Sequence, residues 1–220
     1  IYKPSDGDAK FEGTSISSLN RRESRRILQK IQYVYQDPGA SLDPWWTIGR
    51  SLTEPLKIHT RLRKSEMYEQ MVRILSAVGL DESYTVRYPH EFSGGQQRRI
   101  GLARVLVLQP SLIIFDEPTS GLDVSVQATI LKLFMQLKHQ FKLTYIFISH
   151  DLSVIRMMCN RLSVMYLGKI MEEGPTKKIF EDPKHPYTKF LLSAIPSIHN
   201  QNYDHKYKAY NSEVIQRREK

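Results

Sequence analysis

Apolar runs and amphipathic segments alternate along the second half of the chain. The runs LIIF at 112–115 and TYIFIS at 144–149 are rich in β-branched and aromatic residues, while 94–108 and 124–140 show helical character. An alternation of strands and helices is typical of a parallel sheet with helices packed on it. We therefore predict an α/β fold in which LIIF forms a strand buried on both faces.

The first half predicts a more varied order of elements. A charged helix capped near Ser18 leads into IQYVY, whose alternation is that of a strand. The segment DPGASLDPWWT at 37–47 is dense in Pro, Gly and Asp, which indicates a loop. Helical patterns follow over 48–58 and 64–78, and Gly79 is suited to end the second helix.

The C-terminal part predicts smaller elements. A helix is expected over 151–159, and RLSVMYLGKIMEEG is typical of a two-stranded hairpin that turns near Gly168. The segment EDPKHPYTKFLLSAIPS predicts a proline-punctuated helical appendage. The tail from Asn200 has few apolar residues, and we expect it to be mobile.

Composition excludes a few classes of protein. A net charge of +9 permits nucleic acid or an anionic membrane surface as a partner, although solvated basic faces are the commoner explanation. The single cysteine, Cys159, cannot form a disulfide within the chain and fits a reducing compartment. The longest apolar runs fall far below the roughly 18 residues that span a bilayer, and we expect no secretory signal.

The segment LIIFDEP carries the strongest chemical signal. Its carboxylates follow an apolar strand, and ligands bind at the carboxyl ends of strands in open α/β sheets. Asp116 is suited to hold Mg²⁺ through water, and Glu117 to orient or deprotonate an attacking water. The alternative interpretation is a strand followed by an acidic helix N-cap.

The segment SGGQ predicts a second anion site, made of Ser93, Gly94, Gly95 and Gln96. Ser93 can cap the helix that follows, and the glycines let the backbone approach a γ-phosphate closely. The alternative is an ordinary glycine-containing turn before a helix. The arginines that follow are expected to be surface and inter-helix charges: Arg98, Arg99 and Arg104.

Three further polar residues gain meaning from their order in the chain. Gln36 follows a predicted strand and could contact Mg²⁺ or the reacting water. Asp123 could form a hydrogen bond across a subunit interface, and His150 could reach a γ-phosphate oxygen. A lone histidine after a strand is usually a polar loop residue, but the ordered set Q…SGGQ…DE…SGLD…SHD makes that interpretation weaker.

This ordered set resembles the nucleotide-binding subunit of ATP-binding-cassette (ABC) transporters over nearly all of residues 1–200. The segments QDPGASLDPWWTIG, YPHEFSGGQ, SGLDVSVQA and HPYTKFLLSAIP are similar to the oligopeptide/dipeptide-importer branch in particular. The resemblance implies a RecA-like P-loop NTPase core with an inserted helical subdomain and a short C-terminal extension. It implies ATP and Mg²⁺ as cofactors, and energised uptake of oligopeptides or dipeptides as the function.

The resemblance also implies a role for each candidate residue. Glu117, His150 and Gln36 would be catalytic, and Asp116 and Gln36 would hold the metal. The residues from Ser93 to Gln96, together with Asp116 and Asp123, would contact nucleotide. Two such subunits dock head to tail in this family and enclose ATP between the phosphate loop of one and the SGGQ of the other.

The partners implied are a second ABC subunit, two transmembrane permease subunits and, indirectly, an extracytoplasmic substrate-binding protein. No nucleic acid is expected. The protein would lie peripherally at the cytoplasmic face of the cell membrane. The coupling surface would include the loop from Gln36 to Trp46 and the lobe at about 48–90, with Trp45 and Trp46 either touching a membrane subunit or packing within the lobe.

One motif of the family does not occur in the sequence: the G-x-x-x-x-G-K-[ST] phosphate loop. PSDGDAKFEG looks like the family segment that follows that loop, and the chain opens on Ile1 rather than Met, so we expect an N-terminally truncated core. Without the loop, Asp116 and Glu117 have no triphosphate to act on within their own chain. We expect apolar surface to be exposed and the chain alone to have no appreciable ATPase activity.

The expected divisions follow from the motifs. They are the remainder of the N-terminal core (1–36), the Q-loop and helical subdomain (37–92), the signature, Walker B, D-loop and H-loop part of the core (93–175), the peptide-importer extension (176–200) and a basic tail (201–220). Two alternatives remain at this point: a non-catalytic cassette that completes a partner's site, and a nucleic-acid-associated ABC ATPase. The short interval between Gln36 and Ser93 and the single cysteine argue against the second.

Overall fold

The structure, a computed structural model, describes residues 6–194, and the chain divides after Ile148 into two compact units. The elements of the first unit are β1 (Lys10–Phe11), β2 (Thr14–Ser15), α1 (Arg21–Lys30), β3 (Ile31–Val34), α2 (Ile48–His59), α3 (Lys64–Ala77), α4 (Gly94–Leu106), β4 (Leu112–Asp116), α5 (Val124–Gln140) and β5 (Thr144–Ile148). Those of the second are α6 (Leu152–Met158), β6 (Arg161–Tyr166), β7 (Lys169–Pro175), α7 (Thr176–Glu181) and α8 (Pro186–Ser193).

A three-stranded parallel sheet forms the centre of the first unit, in the order β3-β4-β5. The register pairs Tyr33 with Ile114 and Ile114 with Ile146, so these side chains share one face. Val34, Phe115 and Phe147 are likewise paired, and lie on the other face. The predicted parallel α/β arrangement is confirmed.

One face of this sheet is packed. Phe115 is fully buried, with its ring centroid 4.5 Å from that of Phe134 on α5 and 4.8 Å from that of Phe147. The hydroxyl of Tyr145 donates to the Phe134 carbonyl at 3.0 Å, and burial raises the pKa of that phenol. Helix α4 lies on the same side, since Leu102 and Phe134 line one small cavity with Val34 of β3.

The opposite face is open, which corrects the prediction that LIIF is buried on both faces. Tyr33 is 38% exposed, Ile146 47% and Ile148 48%. On β4 itself, Ile113 and Phe115 are buried while Leu112 and Ile114 are half-buried. The reason is that α4 and α5 both cover the face that carries Phe115, so the alternate residues of each strand keep solvent contact. The expected exposure of apolar surface is therefore found.

The helices of the first half begin and end close to their predicted bounds. Helix α1 is capped by Asn20 rather than Ser18, because Asn20 Oδ1 accepts from the amides of Arg22 and Glu23 at 3.0 Å each. The Glu23 carboxylate accepts a hydrogen bond from the Asn20 backbone amide, which completes a capping box. After α3 the backbone turns at Gly79 with φ of +73°, a conformation that glycine adopts without strain.

A small apolar core holds α2 and α3 together. The buried side chains that these two helices contribute are Ile48, Leu52, Leu56, Met67, Met71, Ile74 and Leu75. The backbone amide of Ile48 also bonds the Arg87 carbonyl at 2.9 Å, which ties the start of α2 to the segment after α3. The segment between the Q-loop and SGGQ thus contains two helices that pack on each other, and its separation as a subdomain stays a prediction.

The second unit consists of the short helix α6, a hairpin and two further short helices. Strands β6 and β7 pair antiparallel and turn at Gly168, which has φ of +77°. The carboxylate of Glu172 accepts from the amides of Lys184 and His185 at 2.8 and 3.1 Å, so it fixes the entry to α8. The tail from Asn200 lies outside the described residues. Within residues 6–194 no helix has the length and apolar character that a bilayer span needs.

Candidate nucleotide site

The carboxyl edge of the parallel sheet gathers three of the predicted residues. Gln36 follows β3 by two positions, Asp116 ends β4 and Glu117 comes directly after it. The Gln36 side-chain amide donates to the hydroxyl of Ser120 at 3.2 Å, which joins the segment after β3 to the segment after β4. Because parallel strands end at the same edge, this is where the fold presents a ligand site.

Asp116 is held by a residue that the sequence did not single out. The hydroxyl of Tyr33 donates to Asp116 Oδ2 at 2.6 Å. This bond raises the pKa of Tyr33 to about 12, so the phenol stays a donor at neutral pH. The alternation of IQYVY places Tyr33 on one face of a strand. The strand register that brings it opposite Ile114, two residues before Asp116, is set by the tertiary structure.

Glu117 has an unusual backbone conformation. Its φ is +50°, in the left-handed region that non-glycine residues seldom adopt. The amide of Glu117 donates to the Ile148 carbonyl at 3.0 Å, and its carbonyl accepts from the Ser120 amide at 3.1 Å. Such strained positions persist only where the surroundings fix them, and they are concentrated at functional sites. Glu12, Lys142 and Leu167 adopt the same conformation in turns, so the φ of Glu117 supports the functional interpretation only together with its place at the carboxyl edge of the sheet.

Ser93 caps α4, as the sequence predicts. Its hydroxyl accepts from the Gln96 amide at 3.4 Å, and the Gln96 side-chain oxygen accepts from the Ser93 amide at 3.0 Å. This reciprocal pair is a capping box and fixes where the helix begins. The first turn of α4 therefore has a defined position and presents the N–H groups and partial positive charge of a helix N-terminus.

The glycines of SGGQ are not required by packing within the chain. A β-carbon added to Gly94 or Gly95 would meet no atom within 4 Å. Seven residues on, a β-carbon at Gly101 would lie 2.4 Å from the carbonyl oxygen of Pro38, so that glycine is a packing requirement. A ligand can approach the backbone closely where two consecutive glycines face open space.

SGGQ borders a cleft of about 470 Å³ whose walls come from the segment that follows α3 and from α4 and α5. Gly95, Gln96 and Arg99 line one side, and Ser125 and Thr129 line another. Neither Asp116 nor Glu117 is among the lining residues. The two predicted anion-handling elements thus belong to separate surfaces of the first unit.

Asp123 has a structural role that the sequence did not assign. Its Oδ1 accepts from the amides of Ser125 and Val126 at 3.0 and 2.9 Å, which caps α5. Hydrogen bonds from the Val126 amide and then from the Ser125 hydroxyl, at 2.7 Å, hold the pKa of Asp123 below its usual range. The predicted contact across a subunit interface stays a prediction.

His150 lies in the second unit, two residues after β5 ends, and is exposed. Its predicted role at a γ-phosphate stays a prediction. Of the arginines after SGGQ, Arg99 donates to the Val78 carbonyl at 3.3 Å and Arg104 to the Ser41 carbonyl at 2.8 Å. These bonds join α4 to neighbouring segments, in line with the expected inter-element role.

The donors at the carboxyl edge suit magnesium in kind but are few. Asp116 supplies carboxylate oxygen, and Gln36 and Ser120 supply amide and hydroxyl oxygen. Among the described residues no group of three or more His, Cys, Asp or Glu side chains could hold a metal by itself. Mg²⁺ commonly takes one or two carboxylates and completes its shell with water and ligand phosphates, so this set fits such an ion.

Two family models match the sequence. The model described as "ABC transporter" matches residues 1–120, and that described as "Oligopeptide/dipeptide transporter, C-terminal region" matches residues 171–219. The first covers more than half of the chain. The chain belongs to the ABC transporter family.

Curated relatives of this cassette include transport proteins from several bacteria. It is 49% identical over 197 residues to the oligopeptide transport ATP-binding protein AppF of Bacillus subtilis, which covers 89% of the chain and 60% of the relative. It is 47% identical over 199 residues to the di/tripeptide transport ATP-binding protein DppF of Pseudomonas aeruginosa, covering 90% and 62%. The cassette thus spans about three-fifths of the length of these relatives.

Solved structures confirm the fold class. The cassette superposes on cbiO1 from Clostridium perfringens, part of the ABC transporter complex cbiONQ, with a TM-score of 0.74 and 28% identity over 83% of this chain and 71% of that one. It also superposes on the ATP-binding cassette MJ0796, in a dimeric structure bound to ADP and phosphate, with a TM-score of 0.67 and 27% identity over 80% and 75%. The predicted P-loop NTPase-type α/β core is therefore confirmed.

Proposed function

We propose that this cassette is part of the ATP-binding and ATP-hydrolysing subunit of an ABC importer for oligopeptides or dipeptides. The observation that carries the proposal is the pair Asp116–Glu117 at the carboxyl edge of the parallel sheet, with Glu117 in a strained conformation. The match of the C-terminal region to peptide-transporter extensions, and the printed names of the relatives, support peptides as cargo.

The residues at the edge divide the work between them. Tyr33 orients the Asp116 carboxylate through its 2.6 Å hydrogen bond, and Asp116 would hold Mg²⁺ either directly or through the waters of the ion. Glu117 takes a proton from, or orients, the water that attacks the terminal phosphate. Gln36 joins the segments after β3 and β4 through its hydrogen bond to Ser120. Its contacts would change when nucleotide and Mg²⁺ bind at the edge. Bound Mg²⁺ supplies the positive charge that offsets the phosphates.

The SGGQ cleft suits a nucleotide held by a second cassette. Ser93 fixes the start of α4, Gly94 and Gly95 leave room for a phosphate, and no carboxylate from the edge enters the cleft. A site with anion-binding groups but no catalytic acid needs its complement from another molecule. Head-to-tail pairing of two cassettes provides that complement, with Asp123 and His150 as further contacts.

The membrane partner would meet the loop that follows β3. Trp45 is 85% exposed, whereas the guanidinium of Arg50 lies 4.0 Å from the centroid of the Trp46 ring. Trp46 is thus engaged within its own lobe, and Trp45 is the better candidate for contact with a permease subunit. Large exposed aromatics of this kind are enriched at protein interfaces.

The test joins this chain to the N-terminal part of a relative that carries a G-x-x-x-x-G-K-[ST] loop. We expect Mg²⁺-dependent ATP hydrolysis by the chimera and none by the 220 residues alone. Glu117→Gln should lower kcat by at least about a hundredfold, because an amide cannot take a proton from the attacking water. ATP should still bind, because binding does not need the negative charge of Glu117. Glu181→Gln, on the exposed end of α7, is the matched control.

One observation favours a second function, in which the cassette is a non-catalytic partner. The SGGQ cleft can complete a neighbour's site although this sequence contains no phosphate loop. In that case the chimera would remain inactive, while the unmodified chain would stimulate an intact cassette in trans. Activity of the chimera that depends on Glu117 would contradict this second function.

A further inference from the structure

A second cleft, of about 540 Å³, lies between α1 and the end of α2. It shares no residue with the site described above. Its walls carry four guanidinium groups, from Arg22, Arg25, Arg26 and Arg61, and no Asp or Glu side chain lines it. A concave surface with four positive charges and no negative one is unusual enough to need an account.

The cationic wall is a feature of one helix face. Arg22, Arg25, Arg26 and Gln29 stand at the spacing i, i+3, i+4, i+7, which places them on one side of α1. The Gln29 side-chain amide donates to the carbonyl of His59, the last residue of α2. That bond holds the arginine-bearing face of α1 against the end of α2, so the cleft has a fixed second wall.

The acidic residues near α1 are engaged elsewhere. Glu23 bonds the Asn20 amide at 3.0 Å as part of the capping box, and Glu12 pairs with Lys30 at 2.5 Å. Among the residues that the structure describes, no ion pair joins a carboxylate to the four cleft arginines. Within residues 6–194, their charge is therefore not neutralised by an ion pair.

Such a stripe opposes folding rather than assisting it. Like charges three and four residues apart on a helix repel each other. Arg22 stands at this spacing from Arg25 and Arg26. A solvated helix face normally mixes signs and avoids this repulsion. An anion bound in the cleft would remove it, and the planar fork of a guanidinium matches phosphate oxygens in pairs.

We propose that this cleft binds clustered phosphate groups. Two sources share that chemistry: the headgroups of anionic phospholipids and a free phosphorylated solute. Ile58, which is 65% exposed, lines the cleft beside the arginines. An apolar side chain among basic ones is typical of surfaces that meet the headgroup region of a bilayer.

The experiment compares wild type with two triple variants of the full 220-residue chain. The cleft variant carries Arg22→Gln, Arg26→Gln and Arg61→Gln. The control carries Lys132→Gln, Lys169→Gln and Lys177→Gln, which remove the same charge from exposed positions outside the cleft. All six substituted side chains are exposed, so both variants should fold, and circular dichroism checks that they do.

Two binding arms separate the sources. Cosedimentation uses vesicles of phosphatidylcholine with and without phosphatidylglycerol, and calorimetry uses inorganic tripolyphosphate. We expect wild type to bind at least one probe and the cleft variant to bind it roughly 100-fold more weakly, about fivefold per arginine. The control should change by less than about threefold, because its lysines lie outside the cleft.

Each result bears on the proposal. Binding to phosphatidylglycerol vesicles alone assigns the cleft to lipid headgroups, and binding to tripolyphosphate alone assigns it to a solute. The proposal is overturned if wild type binds neither probe, or if the control loses as much affinity as the cleft variant. The proposal would also be overturned if wild type bound duplex DNA but neither of the two probes.

Discussion

The two faces of the parallel sheet differ in what they bury. On one face Phe115 is fully buried among the rings of Phe134 and Phe147. On the other, Ile146 is about half exposed, and the most distinct contact is polar, from Tyr33 to Asp116. The first face holds the fold together, and the second leaves apolar side chains beside the Asp116–Glu117 edge exposed.

Helix α4 repeats this contrast along its length. Gly101 lies against the Pro38 carbonyl, where no side chain fits, whereas Gly95 faces open space. The same residue type is thus used for packing in one turn and for access in another. The atoms around each glycine of a motif therefore have to be examined before that glycine is assigned to ligand binding.

The largest expected effect compares the two faces directly. Phe115→Ala should destabilise the protein by about 3–5 kcal/mol, because it removes a buried ring and leaves a cavity. Ile146→Ala, on the open face, should change stability by about 1 kcal/mol or less. Urea unfolding measures both, and equal losses would show that the open face is in fact a core.

The two glycines of α4 give the next largest contrast. Gly101→Ala forces a β-carbon against a backbone oxygen and should cost about 1–3 kcal/mol. Gly95→Ala should stabilise the helix by up to about 1 kcal/mol, since alanine is the better helix former and the space is empty. Thermal unfolding checks the signs, and a destabilising Gly95→Ala would remove the argument for ligand access.

A smaller effect concerns the cap on α5. The Asp123 carboxylate has a lowered folded-state pKa, so its stabilising contribution is present above its unfolded pKa and is lost as pH falls through the folded value. Asp123→Asn keeps a good cap but does not titrate there. Melting temperatures across acidic pH should therefore fall less steeply for the variant than for wild type. Identical pH profiles would contradict the assignment.

The smallest expected effect is on Tyr33. Its pKa of about 12 results first from the hydrogen bond to Asp116, so Asp116→Asn should bring that pKa back towards the usual value of about 10. Ultraviolet titration measures this, with Tyr33→Phe identifying the signal among the tyrosines. If Asp116→Asn leaves the titration unchanged, Tyr33 does not hold the carboxylate.

Much of the local structure could be predicted because it depends on short-range patterns. The helix predicted over 124–140 has those bounds in the structure, and the predicted cap at Ser93 is found. The sequence predicts a cap of α1 near Ser18, whereas the cap lies at Asn20, because both are suitable residues and the geometry of the turn decides between them. The motif positions at Asp116 and Glu117 follow from an apolar strand that ends in carboxylates.

The chain's sequence alone determined its family, the order of its strands and helices, and most of the residues that stand at strand ends and helix starts. These depend on periodicity and on caps, which involve neighbours a few residues apart. The tertiary structure decided that one sheet face stays open, that Tyr33 reaches Asp116, and that four arginines line one cleft. Strand register and helix packing bring together residues far apart in the chain, and no local pattern specifies those distances.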